Sequence, residues 1–163
     1  MKLGLRLCLA LVLALSASVV AANDWTAVGA TGTVYTGSLS YTSNLGPELF
    51  HDASGSLSTI YATFNVTNTT DDTPSWTTLT VHYYDGAPGA SSGSVTVYLL
   101  RVTPSTGGTT TLCSLTSTDN TNSKTCTFSS SSFDFSQYAY YAAVLISRSS
   151  TSAFPRLRTL RID

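Results

Sequence analysis

Between Leu57 and Thr67 the chain alternates with a period of two: Ile60, Ala62, Phe64 and Val66 fall on one face, Tyr61 and Thr63 on the other. Successive side chains of a strand point to opposite sides, so this pattern specifies a half-buried β-strand. Trp76–Tyr84 repeats it, with Leu79, Val81 and Tyr83 inward, and Thr33–Thr42 places Tyr35, Leu39 and Tyr41 together. Ser94–Thr103 and Gln137–Arg148 are apolar on both faces, which predicts strands in the middle of a sheet. Arg156–Ile162 supplies a last strand, and turn-forming clusters such as Asn68–Ser75 and Asp85–Gly93 separate the segments. Asn23–Gly32 reads as a leader or short edge segment, and Ser43–Ser56 as a loop. The pattern predicts an all-β fold: a single antiparallel β-sandwich of about eight strands, jelly-roll or immunoglobulin-like.

Composition supports that reading. Serine and threonine form about a third of the chain beyond residue 22, whereas lysine and glutamate occur there once each, as Lys124 and Glu48. Threonine and aromatics favour strands, and serine, glycine and asparagine favour turns. A surface built from hydroxyls also leaves few titratable groups for acid–base chemistry.

Residues 1–22 have the form of a secretory signal peptide. Lys2 and Arg6 precede an apolar run from Leu7 to Leu15, and Val20-Ala21-Ala22 offers a small-residue cleavage site. Cys8 would leave with it. Residues 23–163 then form one domain, and no other apolar run is long enough to span a membrane. The expected localisation is secreted, periplasmic or extracellular. Beyond residue 22 the chain holds six Lys/Arg against nine Asp/Glu, a net charge of −3. That balance argues against a nucleic-acid partner. Four of those six cations lie beyond residue 147; this basic last strand can pair with acidic loops of the same or a neighbouring subunit or be solvated, and solvation is the favoured expectation.

Cys113 and Cys126 are the two remaining cysteines. With Asp119-Asn120 at the centre of a two-residue turn, residues 113 and 126 stand opposite each other in a hairpin. Counting outward makes them a non-hydrogen-bonded pair with Cα atoms about 4.5 Å apart, within disulfide reach. The sequence therefore predicts a Cys113–Cys126 disulfide inside one hairpin, stabilising by about 3 kcal/mol on the chain-entropy account.

Catalytic motifs are weak. Gly89-Ala90-Ser91-Ser92-Gly93 matches G-x-S-x-G, but a nucleophile elbow needs a helix after it and here a strand follows. His51-Asp52 and His82 are the other triad candidates, and His82 lies mid-strand on the outward face. Zinc needs three or four converging ligands, and no His/Cys cluster supplies them. Asp71, Asp72 and Asp85 read as turn formers rather than as calcium ligands. A glycosidase pair is not evident, Glu48 being the only glutamate. No catalytic residue, metal or cofactor is expected.

Aromatic side chains are the more informative set, because β-sandwiches that bind carbohydrate stack sugars on exposed rings. Trp25 and Trp76 lie near predicted loop ends; Tyr83 and Tyr84 point to opposite faces; Tyr138 and Tyr140 share one. Trp25, Trp76, Tyr84, Tyr138 and Tyr140 are the candidate ligand-binding residues, with core packing as the competing role for each. Asn65-Val66-Thr67 and Asn68-Thr69-Thr70 are glycosylation sequons.

The short leader, Ser94–Thr103, Leu112–Leu115 with its cysteine, and Tyr140–Ser150 before a last strand together resemble small exported β-sandwich proteins of Gram-negative bacteria that have no assigned activity. The resemblance implies fold and export and transfers no functional residue. Pilus subunits are also exported sandwiches, but their disulfide ties early strands and a donor strand leads the chain, unlike here. The resulting expectation is a secreted, non-enzymatic module that binds a glycan or a protein. The alternatives are a self-assembling structural subunit, hence a homo-oligomer, and, behind it, a serine hydrolase.

Overall fold

The computed structural model describes residues 24–35, 41–42, 46–51, 57, 59–68, 70–85, 93–118 and 122–163. The leader, the Asp119-Asn120 turn, Asp52 and Gly89–Ser92 lie outside the described residues. Eleven strands fall among those described: β1 Trp25–Val28, β2 Thr33–Val34, β3 Tyr41–Thr42, β4 Leu49–His51, β5 Thr59–Val66, β6 Thr78–Tyr84, β7 Gly93–Val102, β8 Thr109–Thr116, β9 Ser123–Thr127, β10 Ala139–Arg148 and β11 Arg156–Ile162. They form two antiparallel sheets, a β-sandwich. One runs β2-β5-β10-β7-β8; the other runs β3-β4-β11-β6-β9, with β1 also paired to β11.

The alternation places the core as expected. Ile60, Ala62, Phe64 and Val66 of β5 face Leu79, Val81 and Tyr83 of β6, and all are buried. The doubly apolar strand β10 is the middle of the five-stranded sheet, flanked by β5 and β7. Three strands exceed the expected eight: β1 in the Asn23–Gly32 edge segment, β4 in the expected loop, and one from the division of Thr33–Thr42. Leu49–His51, within the predicted Ser43–Ser56 loop, pairs through Leu49 and Phe50 with β11. Thr33–Thr42 is not one strand: β2 joins the five-stranded sheet and β3 the six-stranded one. Period two specifies a face but not the sheet that the face belongs to.

The hairpin prediction is corrected in the same way. β8 pairs with β7, and β9 pairs with β6, so the two cysteine strands belong to different sheets. Cys113 and Cys126 are bonded, with Cα atoms 6.0 Å apart, and the bond ties the edge of one sheet to the edge of the other. Lys124 Nζ makes a parallel crossing, donating to the Thr116 carbonyl at 2.8 Å. Two inward side chains on facing edge strands meet at the same kind of separation as two partners in a hairpin, so spacing alone does not distinguish an arch between sheets from a hairpin within one.

At the opposite edge, β1 enters against β11 and a 3-10 turn at Gly29–Thr31 leads into β2. A Cβ on Gly29 would run into the backbone of Leu157 and Leu49, and one on Gly32 would lie 2.5 Å from the Phe64 ring. These two glycines let the turn sit tightly on both sheets. The chain thereby carries Trp25, on the six-stranded sheet, close to Thr33 and Thr63 on the five-stranded one.

Candidate functional site

The register of β5, β10 and β7 fixes what the five-stranded sheet shows to solvent. Tyr61, Leu145 and Thr96 share one rung; Thr63, Ala143 and Tyr98 the next; Asn65, Tyr141 and Leu100 the third. Tyr35 follows β2, its amide donating to the Tyr61 carbonyl at 2.8 Å. Tyr35 is 62% exposed, Tyr61 50% and Tyr98 36%, values unusual for rings of this size. The Thr63 hydroxyl donates to the Tyr35 hydroxyl at 3.3 Å, which draws that ring over the neighbouring rung. No charged side chain belongs to these rungs.

Two adjoining depressions open on this face. One, about 300 Å³, is lined by Tyr35, Thr63, Asn65 and Tyr141. The other, about 250 Å³, is lined by Trp25, Ala27, Thr31, Thr33, Thr63, Phe64 and Asn65. Thr63 and Asn65 belong to both, so the two form one groove. Its surface offers aromatic rings, threonine hydroxyls that both donate and accept, and an amide that does the same through separate atoms.

The predicted aromatic residues separate into three groups. Trp76 and Tyr140 are 1% and 3% exposed and belong to the core, a correction to their reading as ligand-binding residues. They pack with Phe133 and Phe135: Trp76 meets Phe133 edge-on at 5.0 Å, and Tyr140 meets Phe133 at 4.6 Å. The Tyr140 hydroxyl accepts from the Asp134 amide at 2.7 Å and can donate to the Ser132 carbonyl at 3.1 Å. Burial raises that phenol's pKa above its usual value, against the opposing pull of the Asp134 backbone hydrogen bond. Tyr138 is half-buried beneath the Arg101 guanidinium, 4.4 Å from the ring centre, and Tyr84 lies on the other sheet, near Arg156. Only Trp25 reaches the groove. Tyr35, Tyr61, Tyr98 and Tyr141 were not singled out as ligand residues. For Tyr61 the signal was present, since the period-two pattern of β5 turns it outward; Tyr98 and Tyr141 lie in strands apolar on both faces, where only register assigns direction.

The outer face of the six-stranded sheet has a different chemistry. Glu48 accepts from Arg156 at 3.0 Å and from Arg158 at 2.9 Å. Arg161 pairs with Asp24 and, at 3.5 Å, with Asp163. The basic last strand is thus paired within the chain rather than left to solvent, contrary to expectation. Burial alone would raise the Glu48 pKa, but the hydrogen bonds and charges of the two arginines outweigh it and hold the carboxyl below its usual value. Of the two histidines, His82 is exposed on this face, while His51 is fully buried, its Nε2 2.9 Å from the Ile146 carbonyl. Burial lowers the His51 pKa, and the charge of Arg148 adds to the effect, while the Ile146 contact opposes it. Among the described residues no three His, Cys, Asp or Glu side chains converge as a metal site.

In comparisons with known proteins, no family model matches the chain, and no curated protein matches it in sequence. Solved structures do. A xylan-binding module, CBM15, superposes with a TM-score of 0.50 at 17% identity, covering 87% of this chain and 96% of that one. A family two carbohydrate esterase from Cellvibrio japonicus gives a TM-score of 0.43 at 10% identity over 86% of this chain but only 33% of its own. At these identities the first likeness speaks to the β-sandwich fold alone, and the second carries no further argument.

Proposed function

We propose that this chain is a non-enzymatic binding module for a neutral glycan, held on the outer face of the five-stranded sheet between Tyr35 and Tyr141. The observation that carries the reading is the depression walled by those two tyrosines and floored by Thr63 and Asn65, on rungs that hold no charged side chain. A sugar ring presents C–H faces, which pack on aromatic rings, and hydroxyls, which need donors and acceptors once they leave water. The groove supplies both. An anionic ligand would find no cation on these rungs. Export through the 1–22 leader fits this role, as does the Cys113–Cys126 bond, since disulfides persist in oxidising compartments.

The test is affinity electrophoresis and calorimetry of the chain from residue 23 against soluble xylan, hydroxyethyl cellulose and a polyuronate. Retention by a neutral polymer, and its loss in Tyr141→Ala, are the expected results. Binding only to the polyuronate, or binding to a neutral polymer that Tyr141→Ala leaves intact, would refute the assignment.

A further inference from the structure

We infer that the groove is built for an oligosaccharide of several units rather than a single sugar, with Trp25 forming a second subsite where the groove reaches the seam between the sheets. The inference rests on the glycan reading above and adds to it the length of the ligand and the path it follows. Small-ligand sites run from about 300 to 1,000 Å³. Each depression, at about 300 and 250 Å³, is at or below the lower end of that range, and only the two together lie well within it. They share Thr63 and Asn65, so a ligand seated between Tyr35 and Tyr141 is already in contact with two residues of the second depression. The lining then changes sheets. Thr33, Thr63, Phe64 and Asn65 belong to the five-stranded sheet, Trp25 and Ala27 to the six-stranded one, and Thr31 to the turn that joins them. A chain that fills both depressions therefore runs off the flat face and over the sheet edge, where the Trp25 indole ends the path. Gly29 and Gly32 make that approach of the two sheets possible, because each sits where a Cβ would collide with a neighbour.

The experiment is a calorimetric ladder of xylo- and cello-oligosaccharides from one to six units, alongside the two parent polymers. Affinity should rise by about five- to tenfold on the step that first reaches the second depression, the worth of one good aromatic contact, and level off beyond it. Trp25→Ala should remove that step while leaving the shortest binding oligomer unaffected. Because Trp25 also packs against the core, Thr31→Arg provides a second variant: Thr31 is exposed, and an arginine there fills the second depression without entering the core. It should remove the same step. An affinity that is already maximal for a single unit, or a ladder that neither variant alters, would overturn the second subsite while leaving the glycan reading in place. Failure of both polymers to bind would overturn that reading, and this inference with it.

Discussion

The two outer faces of the sandwich solve the same problem in opposite ways. Each must keep a sheet soluble. The six-stranded face does so with charge and then neutralises most of it internally: Glu48 holds Arg156 and Arg158, and Asp24 and Asp163 hold Arg161. The five-stranded face uses hydroxyls, one amide and exposed tyrosine rings. Ion pairs satisfy each other, and a partner would have to break them before binding. Threonine hydroxyls and exposed tyrosine rings, even where hydroxyls pair as Thr63 does with Tyr35 and Thr96 with Thr116, keep donor, acceptor and ring surface turned to water, which a ligand with matching groups can replace at little cost. A face that has completed its own interactions is a stabilising surface; a face that has left them to solvent is an available one.

The largest effect should come from cutting the link between the two sheets. Replacing Cys113 and Cys126 together with alanine should lower unfolding free energy by about 3 kcal/mol, read by denaturant titration. Glycan affinity should survive in the folded fraction, because the groove lies at the opposite edge; a loss of affinity would show that the two edges are coupled. Next, Tyr141→Ala should weaken glycan binding by about tenfold, or 1.4 kcal/mol, whereas Tyr84→Ala on the charged face should leave it unchanged. Equal losses would erase the distinction between the faces.

Glu48→Gln should be milder, about 0.2–1 kcal/mol in stability for a partly exposed ion pair, reduced further by salt and without effect on binding. The smallest expected change is in affinity against pH. Glu48 has a folded-state pKa below its ordinary value, so its contribution is present above the ordinary value and lost as pH falls through the lowered one. His51 is also lowered, and the unfolded chain takes up its proton first as pH drops below about 6.5. Both groups make the fold less stable in acid, and both belong to the six-stranded sheet. The groove rungs carry no carboxylate or imidazole, so affinity should stay flat from neutral pH down to the onset of unfolding. A titration in affinity within that window would mean that a charged group takes part in binding.

Much of the fold was legible because burial acts on one face at a time. Ile60 to Val66 and Leu79 to Tyr83 state their inward sides directly, and the doubly apolar Tyr140 to Ile146 states its central position. What the sequence does not carry is pairing. Cys113 and Cys126 have the separation of hairpin partners but join two sheets, because at this edge β8 and β9 converge until the two Cα atoms are 6.0 Å apart, closer than the usual spacing of about 10 Å between sheets. The groove was hidden for the same reason. Thr63, Asn65 and Tyr141 lie far apart in the chain and meet only through the β5–β10 register, and Tyr35 joins them only because β2 leaves the path of β3. Trp76 and Tyr140 looked like candidates for binding because a tryptophan near a turn is indistinguishable in sequence from one that closes the core beside Phe133.

Asn65 lines both depressions and also opens the Asn65-Val66-Thr67 sequon. A host that modifies such sites would attach a sugar chain to the floor of the groove. That chain would be a tethered competitor at an effective concentration in the millimolar range, present in every molecule and impossible to dialyse away. Material made in such a host could be correctly folded and still appear inert towards every glycan offered. The choice of expression system therefore decides whether this surface is open or already occupied, and Thr67→Val, which removes the sequon without changing the groove lining, would restore the free face.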